Sequence, residues 1–319
     1  MKPGMRGLLL MFTAVAALAQ PVEVAKGVHL LRGTYEPGSQ PDGNSVIFQT
    51  GDGLVVVDTG RHEAHTRALL EFAAKKKQPI VAAINTHWHL DHIGGNALLR
   101  REAPGIRIWA SPALEGALQG FLADYRKSLE ARISGTEGES EAKKSLEKEL
   151  ALIVAGKELA PDEVVRKSVT PSIGGRRLAL HLEADAVTAG DLWIVDETSG
   201  IVVAGDLITL PFPFLDTACP SRWRAALERL ARADFTLVIP GHGAPMKRAD
   251  FNRYRTAYAN LLDCAASSKE KEACAAGWIE DAGPLLAESE HDFAKQAIHY
   301  YVDQHLRGHE AKLAKLCGR

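Results

Sequence analysis

The chain has 319 residues, 46% hydrophobic and 24% charged, with a formal net charge of −2. That is globular composition, enough for one large domain or two small ones. Bulk charge so near zero gives no electrostatic reason to expect a nucleic-acid or membrane-surface partner.

The N-terminus departs from this average. Lys2 and Arg6 precede an apolar run, residues 7–19, that closes on Ala17-Leu18-Ala19. A basic start, a short apolar core and a small-residue close form a secretory signal pattern. It predicts a signal peptide over residues 1–19, cleavage after Ala19, and a periplasmic or secreted protein beginning at Gln20. The run is shorter than the ~20 apolar residues a spanning helix needs, so no membrane association is expected after cleavage. Export makes the four cysteines disulfide candidates. Cys264 and Cys274 share one local segment and are expected to pair. Cys219 and Cys317 form the second pair by elimination, although four cysteines allow three pairings.

Beyond the signal, short strands are predicted at residues 28–31 and 45–48, with a Gly/Pro/Asp/Asn loop between them. Residues 54–57 read as a buried strand turned by Asp58-Thr59-Gly60, and residues 61–77 as a helix. A second buried strand, residues 80–84, runs into Asn85-Thr86-His87-Trp88-His89-Leu90-Asp91-His92-Ile93-Gly94-Gly95. Three imidazoles and a carboxylate within six positions are the ligand types zinc prefers. In extended chain His87 and His89 would point to one side, with Asp91 and His92 curling back from a loop. Trp88 and Leu90 would then pack on the sheet.

A helix over residues 96–101 and a strand over 106–109 follow. Residues 112–170 are rich in Lys, Glu and Ala and read as a helical insertion, broken near residues 134–138; it is either a lid or a solvated appendage. Strands resume at residues 178–182, 192–195 and 201–204, the last two joined as a hairpin by residues 196–200. A helix over 225–233 leads to a strand over 235–239, broken by Pro240-Gly241-His242-Gly243. The segment 210–216, with two prolines and two phenylalanines, either lines a groove or packs as a rigid loop. Residues 251–319 read as a helical extension, and residues 20–250 as the main domain. His62, His65, His291, His299, His305 and His309 are expected on exposed helix faces. Strands, helix, strands, helices argue an α+β fold of two sheets with helices outside them.

The histidine stretch resembles the HxHxDH signature of the metallo-β-lactamase superfamily. The resemblance extends to Val55-Val56-Val57-Asp58-Thr59-Gly60, Ala204-Gly205-Asp206-Leu207 and Pro240-Gly241-His242-Gly243, and covers about residues 27–250. It implies an αββα sandwich with two adjacent zinc positions at one edge. The first would take His87, His89 and a third histidine; the second would take Asp91, His92 and His242, with Asp206 bridging. Asp58 would hold the metal-bearing loop from behind, while Thr188 and Asp191 are read as either bracing the hairpin or sitting near the groove. Where the third histidine is expected this chain has Val187, in Val187-Thr188-Ala189-Gly190-Asp191.

The resemblance therefore implies one well-formed zinc position, from Asp91, His92, His242 and Asp206. The other is weak or absent, with His87 and His89 free to orient or deprotonate a water. His181 is weighed as a substitute ligand and read instead as a strand residue that is either packed or exposed. The implied activity is hydrolysis of a small-molecule carbonyl or ester substrate by zinc-activated water, with Asp91, His87 and His89 catalytic. β-Lactam hydrolysis is not favoured. The alternative is a non-catalytic binding or scaffold relative with a vestigial metal.

Overall fold

The computed structural model describes residues 20–35, 40–307 and 310–318. The segment read as a signal peptide and His309 lie outside the described residues. Two sheets form the centre. The first has seven strands in sequence order: β1 (Val22–Ala25), β2 (Val28–Leu31), β3 (Ser45–Gln49), β4 (Leu54–Val57), β5 (Ile80–Ile84), β6 (Arg107–Ala110) and β7 (Glu163–Val164). It is antiparallel from β1 to β4 and parallel from β4 to β7. The second comprises β8 (Ser172–Ile173), β9 (Arg176–Glu183), β10 (Asp191–Asp196), β11 (Ile201–Thr209) and β12 (Leu237–His242), in reverse order, with β11 and β12 parallel.

Strand periodicity builds the layers, because alternate side chains face opposite sides. Val55 and Val57 of β4 face Leu192, Ile194 and Val203 of the second sheet and form the inner core. Leu54 and Val56 face outward, against Leu69 and Phe72 of α1 (Glu63–Lys76) and Leu99 beyond it. On the other side Trp193, Val202 and Val238 pack against the C-terminal helices. The result is the αββα sandwich, α+β in class.

Short helices α2 (Leu90–Ile93) and α3 (Asn96–Glu102) follow β5. The insertion forms α4 (Ala113–Gln119), α5 (Phe121–Ser134), α6 (Glu141–Val154) and α7 (Gly156–Leu159), with the expected break between α5 and α6. The last third carries α8 (Pro220–Leu230), α9 (Arg248–Ala265), α10 (Lys271–Ala282), α11 (His291–Tyr301) and α12 (Glu310–Leu316). Disulfides join Cys264 to Cys274 and Cys219 to Cys317.

Some expectations need correction. β12 runs through Pro240 to His242 rather than breaking before it. It is an edge strand, so the missing proline N–H removes no ladder bond that matters. Helix α8 starts five residues earlier than read, at Pro220, whose fixed φ suits a first helical turn. Trp88 and Leu90 pack with Leu122, Leu129 and Ile153 of the insertion, not on the sheet, so the insertion docks one side on the histidine stretch while most of α5 and α6 stays exposed. His65 is buried and hydrogen-bonded to Ser45, and His305 is buried against Asp216. Both sit on helix sides turned inward, which spacing alone did not reveal.

Candidate metal centre

The candidate ligands stand at the carboxyl ends of parallel strands from both sheets. Asp58 follows β4, His87 to His92 follow β5, Asp206 lies in β11 and His242 ends β12. The backbone does not continue extended past Ile84. It bends through residues 86–88 and closes into the single turn α2, with His89 at its N-cap. This corrects the extended geometry expected for the stretch, yet the rings of His87 and His89 still meet, edge to face with centroids 4.4 Å apart.

Hydrogen bonds behind the rings decide which nitrogen each histidine presents. Asp58 takes a positive φ of 59°, a strained setting for a side chain other than glycine. From there its carboxylate accepts from Thr86 N, Thr86 Oγ1 and His92 Nδ1, each at 2.7 Å. His92 therefore turns Nε2 into the site. Thr86 Oγ1 donates to Asp58 and so accepts from His87 Nδ1 at 3.0 Å, leaving His87 Nε2 bare. Thr217 Oγ1 donates to the Val187 carbonyl at 3.0 Å and accepts from His89 Nε2 at 2.9 Å, leaving Nδ1 as the lone-pair nitrogen of His89.

Two donor groups result: His87, His89 and Asp206, and Asp91, His92 and His242, each with its ligand atoms within 4.8 Å of one another. Asp206 lies between them, Oδ2 3.7 Å from His87 Nε2 and Oδ1 3.2 Å from His92 Nε2. His242 Nε2 is 2.9 Å from Asp91 Oδ2 and 3.7 Å from Asp206 Oδ1. Donors sharing one tetrahedral zinc at the usual bond lengths sit about 3.3 Å apart, so these spacings bracket the expected value. His87 Nε2, His92 Nε2 and Asp206 Oδ1 are buried without a hydrogen-bond partner. Orphaned buried polar atoms are costly, and three aimed at one small volume fit a cation.

The charges fit as well. Burial holds His87 well below its usual pKa and brings His89 to about 4, so both are neutral imidazoles. Burial also opposes charge on His92 and His242, but Asp206, Asp58 and Asp91 around His92, and Asp206 and Asp91 around His242, outweigh it and raise both. Burial alone would raise Asp91 and Asp206; the positive field of His92 and His242 keeps both ionised below the ordinary range.

Surrounding residues leave no slack. A Cβ on Gly43 would fall 2.4 Å from His92 Cε1, and one on Gly241 would fall 1.9 Å from Asp206 Oδ1. Asn44 spans the two sheets: its N donates to Gly241 O, its Nδ2 to the Pro240 and Gly243 carbonyls, and its Oδ1 accepts from Gly33 N. Arg61, only 9% exposed in its side chain, lies 3.4 Å from Asp91 Oδ1 and is ion-paired with Glu149 of α6, which also accepts from Tyr125 at 3.2 Å.

Val187 is buried, its N bonded to Asp191, with Thr188 N and Oγ1 bonded to the same carboxylate. Thr188 thus braces the hairpin. His181 stacks on Trp193 at 3.8 Å and is sheet packing. Phe214 does both things proposed for its segment: it packs on the core and places its ring 5.3 Å from that of His89. Sequence reading missed Asn44, Arg61, Glu149 and Thr217. Arg61 directly follows Asp58-Thr59-Gly60, which was the available hint; nothing local marks the other three.

Comparison with known proteins agrees with the geometry. Residues 39–242 match the family described as the metallo-beta-lactamase superfamily. Over 219 residues, 63% of this chain and 41% of the other, the chain is 26% identical to a linear primary-alkylsulfatase of a Pseudomonas species. Over 57 residues, 18% of this chain and 23% of the other, it is 40% identical to a hydroxyacylglutathione hydrolase of Gloeobacter violaceus. The chain therefore aligns with less than half the length of either relative. A beta-lactamase domain protein from Burkholderia ambifaria has the same fold, with a TM-score of 0.58 at 20% identity, covering 96% of this chain and 91% of that one.

Proposed function

The chain belongs to the metallo-β-lactamase superfamily, and from that premise we propose that it is an exported zinc-dependent hydrolase acting on an ester-type bond of a small molecule. The observation that carries this reading is the convergence of the orphaned His87 Nε2, His92 Nε2 and Asp206 Oδ1 on Asp91 and His242. Such an arrangement costs stability unless a cation satisfies it. Imidazole and carboxylate donors in groups of three suit zinc with an open position.

Zinc, when bound, supplies Lewis acidity: it lowers the pKa of coordinated water to about 7 and polarises the bond under attack. The chain's own groups do the rest. Asp206 reaches both donor groups and holds them at one spacing. Asp91, ionised and turned between His242 and Arg61, is placed to take a proton from the attacking water. His87 and His89 are neutral and fixed in tautomer by Thr86 and Thr217, so they present lone pairs inward. The position of Asp91, His92, His242 and Asp206 is the complete one; that of His87 and His89 shares Asp206 and lacks a third histidine, with Val187 in its place. Relatives named as a sulfatase and a hydrolase support an ester-type substrate. Export is supported by the N-terminal pattern and by two closed disulfides.

Elemental analysis of the purified protein tests the reading, together with turnover of a panel of carboxylic, thio-, phosphate and sulfate esters. One to two zinc ions per chain, with turnover lost in His242→Ala, is the expected result. Val187→His should raise zinc content toward two. A protein that takes up no zinc and turns over nothing refutes the proposal and leaves a binding role.

A further inference from the structure

Residues 210–219, between β11 and α8, form neither helix nor strand. No backbone ladder fixes such a segment, so its place depends on what grips it. Yet it carries Thr217, whose Oγ1 accepts from His89 Nε2 at 2.9 Å and so decides which nitrogen of His89 faces the metal centre. A metal ligand keeps its orientation only if the group behind it is itself held still.

The helical extension takes hold of the segment on both flanks and in the middle. Trp278 Nε1 of α10 donates to the Pro211 carbonyl at 2.9 Å, and Cys219 is bonded to Cys317. Between them stands Asp216, directly before Thr217. Tyr301 Oη donates to Asp216 Oδ2 at 2.9 Å, and His305 Nε2 lies 3.2 Å from Oδ1. Tyr301 and His305 are only 4% and 2% exposed, so two buried polar side chains are committed to one loop carboxylate. Hydrogen bonds to an ionised oxygen are roughly twice as strong as neutral ones. After Tyr301 the helix widens into a π turn, Val302–Leu306, with the His305 ring 5.2 Å from that of Tyr301. Single π turns recur at functional sites. The position that this grip serves is the weaker one. Zinc takes about four ligands, and with Val187 in the place of a third histidine a turned His89 would leave only His87 and Asp206.

We infer that Asp216, clasped by Tyr301 and His305, is a positioning residue for His89. Acting through Thr217, the clasp lets the C-terminal helices hold the metal-facing nitrogen of His89 and so set zinc affinity at that position. The affinity rests on the zinc hydrolase reading; the holding of the ring does not, and it is tested first. In the metal-free full chain with isotope-labelled histidine, NMR of the imidazole nitrogens shows which nitrogen of His89 carries the proton, with His89→Gln assigning the signals. The parent should hold it on Nε2, and Asp216→Ala and Tyr301→Phe should give a mixture of tautomers. Zinc is then competed against a chromophoric chelator, read at the binding step that His87→Ala removes. Asp216→Ala should weaken that step about tenfold, the lower end for loss of a ligand's support. Asp216→Asn keeps an oxygen for Tyr301 and should restore most of both readings. Ile298→Val loosens α11 without touching the clasp and should lower Tm alone.

If Asp216→Ala does not fold, Tyr301→Phe carries the same readings. An unchanged tautomer in the clasp variants overturns the inference, whatever zinc does. A mixture of equal size in Ile298→Val also overturns it, since general loosening then suffices. A tautomer that moves while zinc binding matches the parent overturns the link to affinity. A mixture confined to the clasp variants, in a chain that takes up no zinc, upholds Asp216 as the positioning residue and removes the hydrolase reading.

Discussion

Thr217→Val isolates the outer support of His89. Thr217 Oγ1 accepts from His89 Nε2 at 2.9 Å and donates to the Val187 carbonyl at 3.0 Å, with all three residues buried. Valine keeps the shape and removes both bonds. Each orphaned group costs about 1–3 kcal/mol, so a loss of about 2–6 kcal/mol is expected for the pair. For a chain of this size that is a fall in Tm on the order of 5 °C. The more specific effect falls on the metal. Freed of its acceptor, His89 can move its proton to Nδ1, the nitrogen that faces the cation. Loss of such a support typically weakens metal binding about 10- to 100-fold. Competition for zinc against a chromophoric chelator measures this, with Thr217→Ser as the variant that keeps the hydroxyl and should restore affinity. If Thr217→Val lowers Tm but zinc affinity and stoichiometry match the parent, Thr217 is a structural hydroxyl and the tautomer argument is wrong.

Glu149→Gln should uncouple the insertion from the site. Arg61 loses its charged partner on α6, at a cost of about 1–3 kcal/mol in urea unfolding; an unchanged midpoint would show the pair to be idle. Gly43→Ala drives a Cβ into His92 and should abolish zinc uptake, so normal zinc content by elemental analysis would contradict the close packing. The carboxylates around His92 and His242 hold both imidazoles above their usual pKa in the metal-free chain, so protons compete with zinc there at higher pH than for a free imidazole. Zinc must displace them, so affinity should rise with pH until each histidine is deprotonated in the free chain. Calorimetry in buffers of different ionisation heat should register proton release, and an affinity constant between about pH 5 and about pH 8 would refute this charge assignment.

Much of this was legible in the chain. Continuous apolar runs such as Val55 to Val57 and Ile201 to Ala204 mark strands buried on both faces, and the structure has strands there, β11 running on to Thr209. The six donors His87, His89, Asp91, His92, Asp206 and His242 do come together. What escaped reading depends on neighbours distant in sequence. Thr217 matters because of His89, 128 positions away, and Asn44 because of Pro240, 196 positions away. Spacing placed His65 and His305 on helices but could not say which helix side faces inward. Trp88 and Leu90 were assigned to a sheet because the insertion's apolar side, Leu122 and Leu129, is thinly spread among charged residues.

Asn44 has a consequence for assembly. Four of the six donors hang from the first sheet and two from the second, and this one amide, with Gly43 N on the Asp91 carbonyl, stitches the two edges into register. Neither half-molecule can own the centre. Closing the layers and completing the seat for a cation are therefore a single act, and a chain caught with them apart has only part of it to offer.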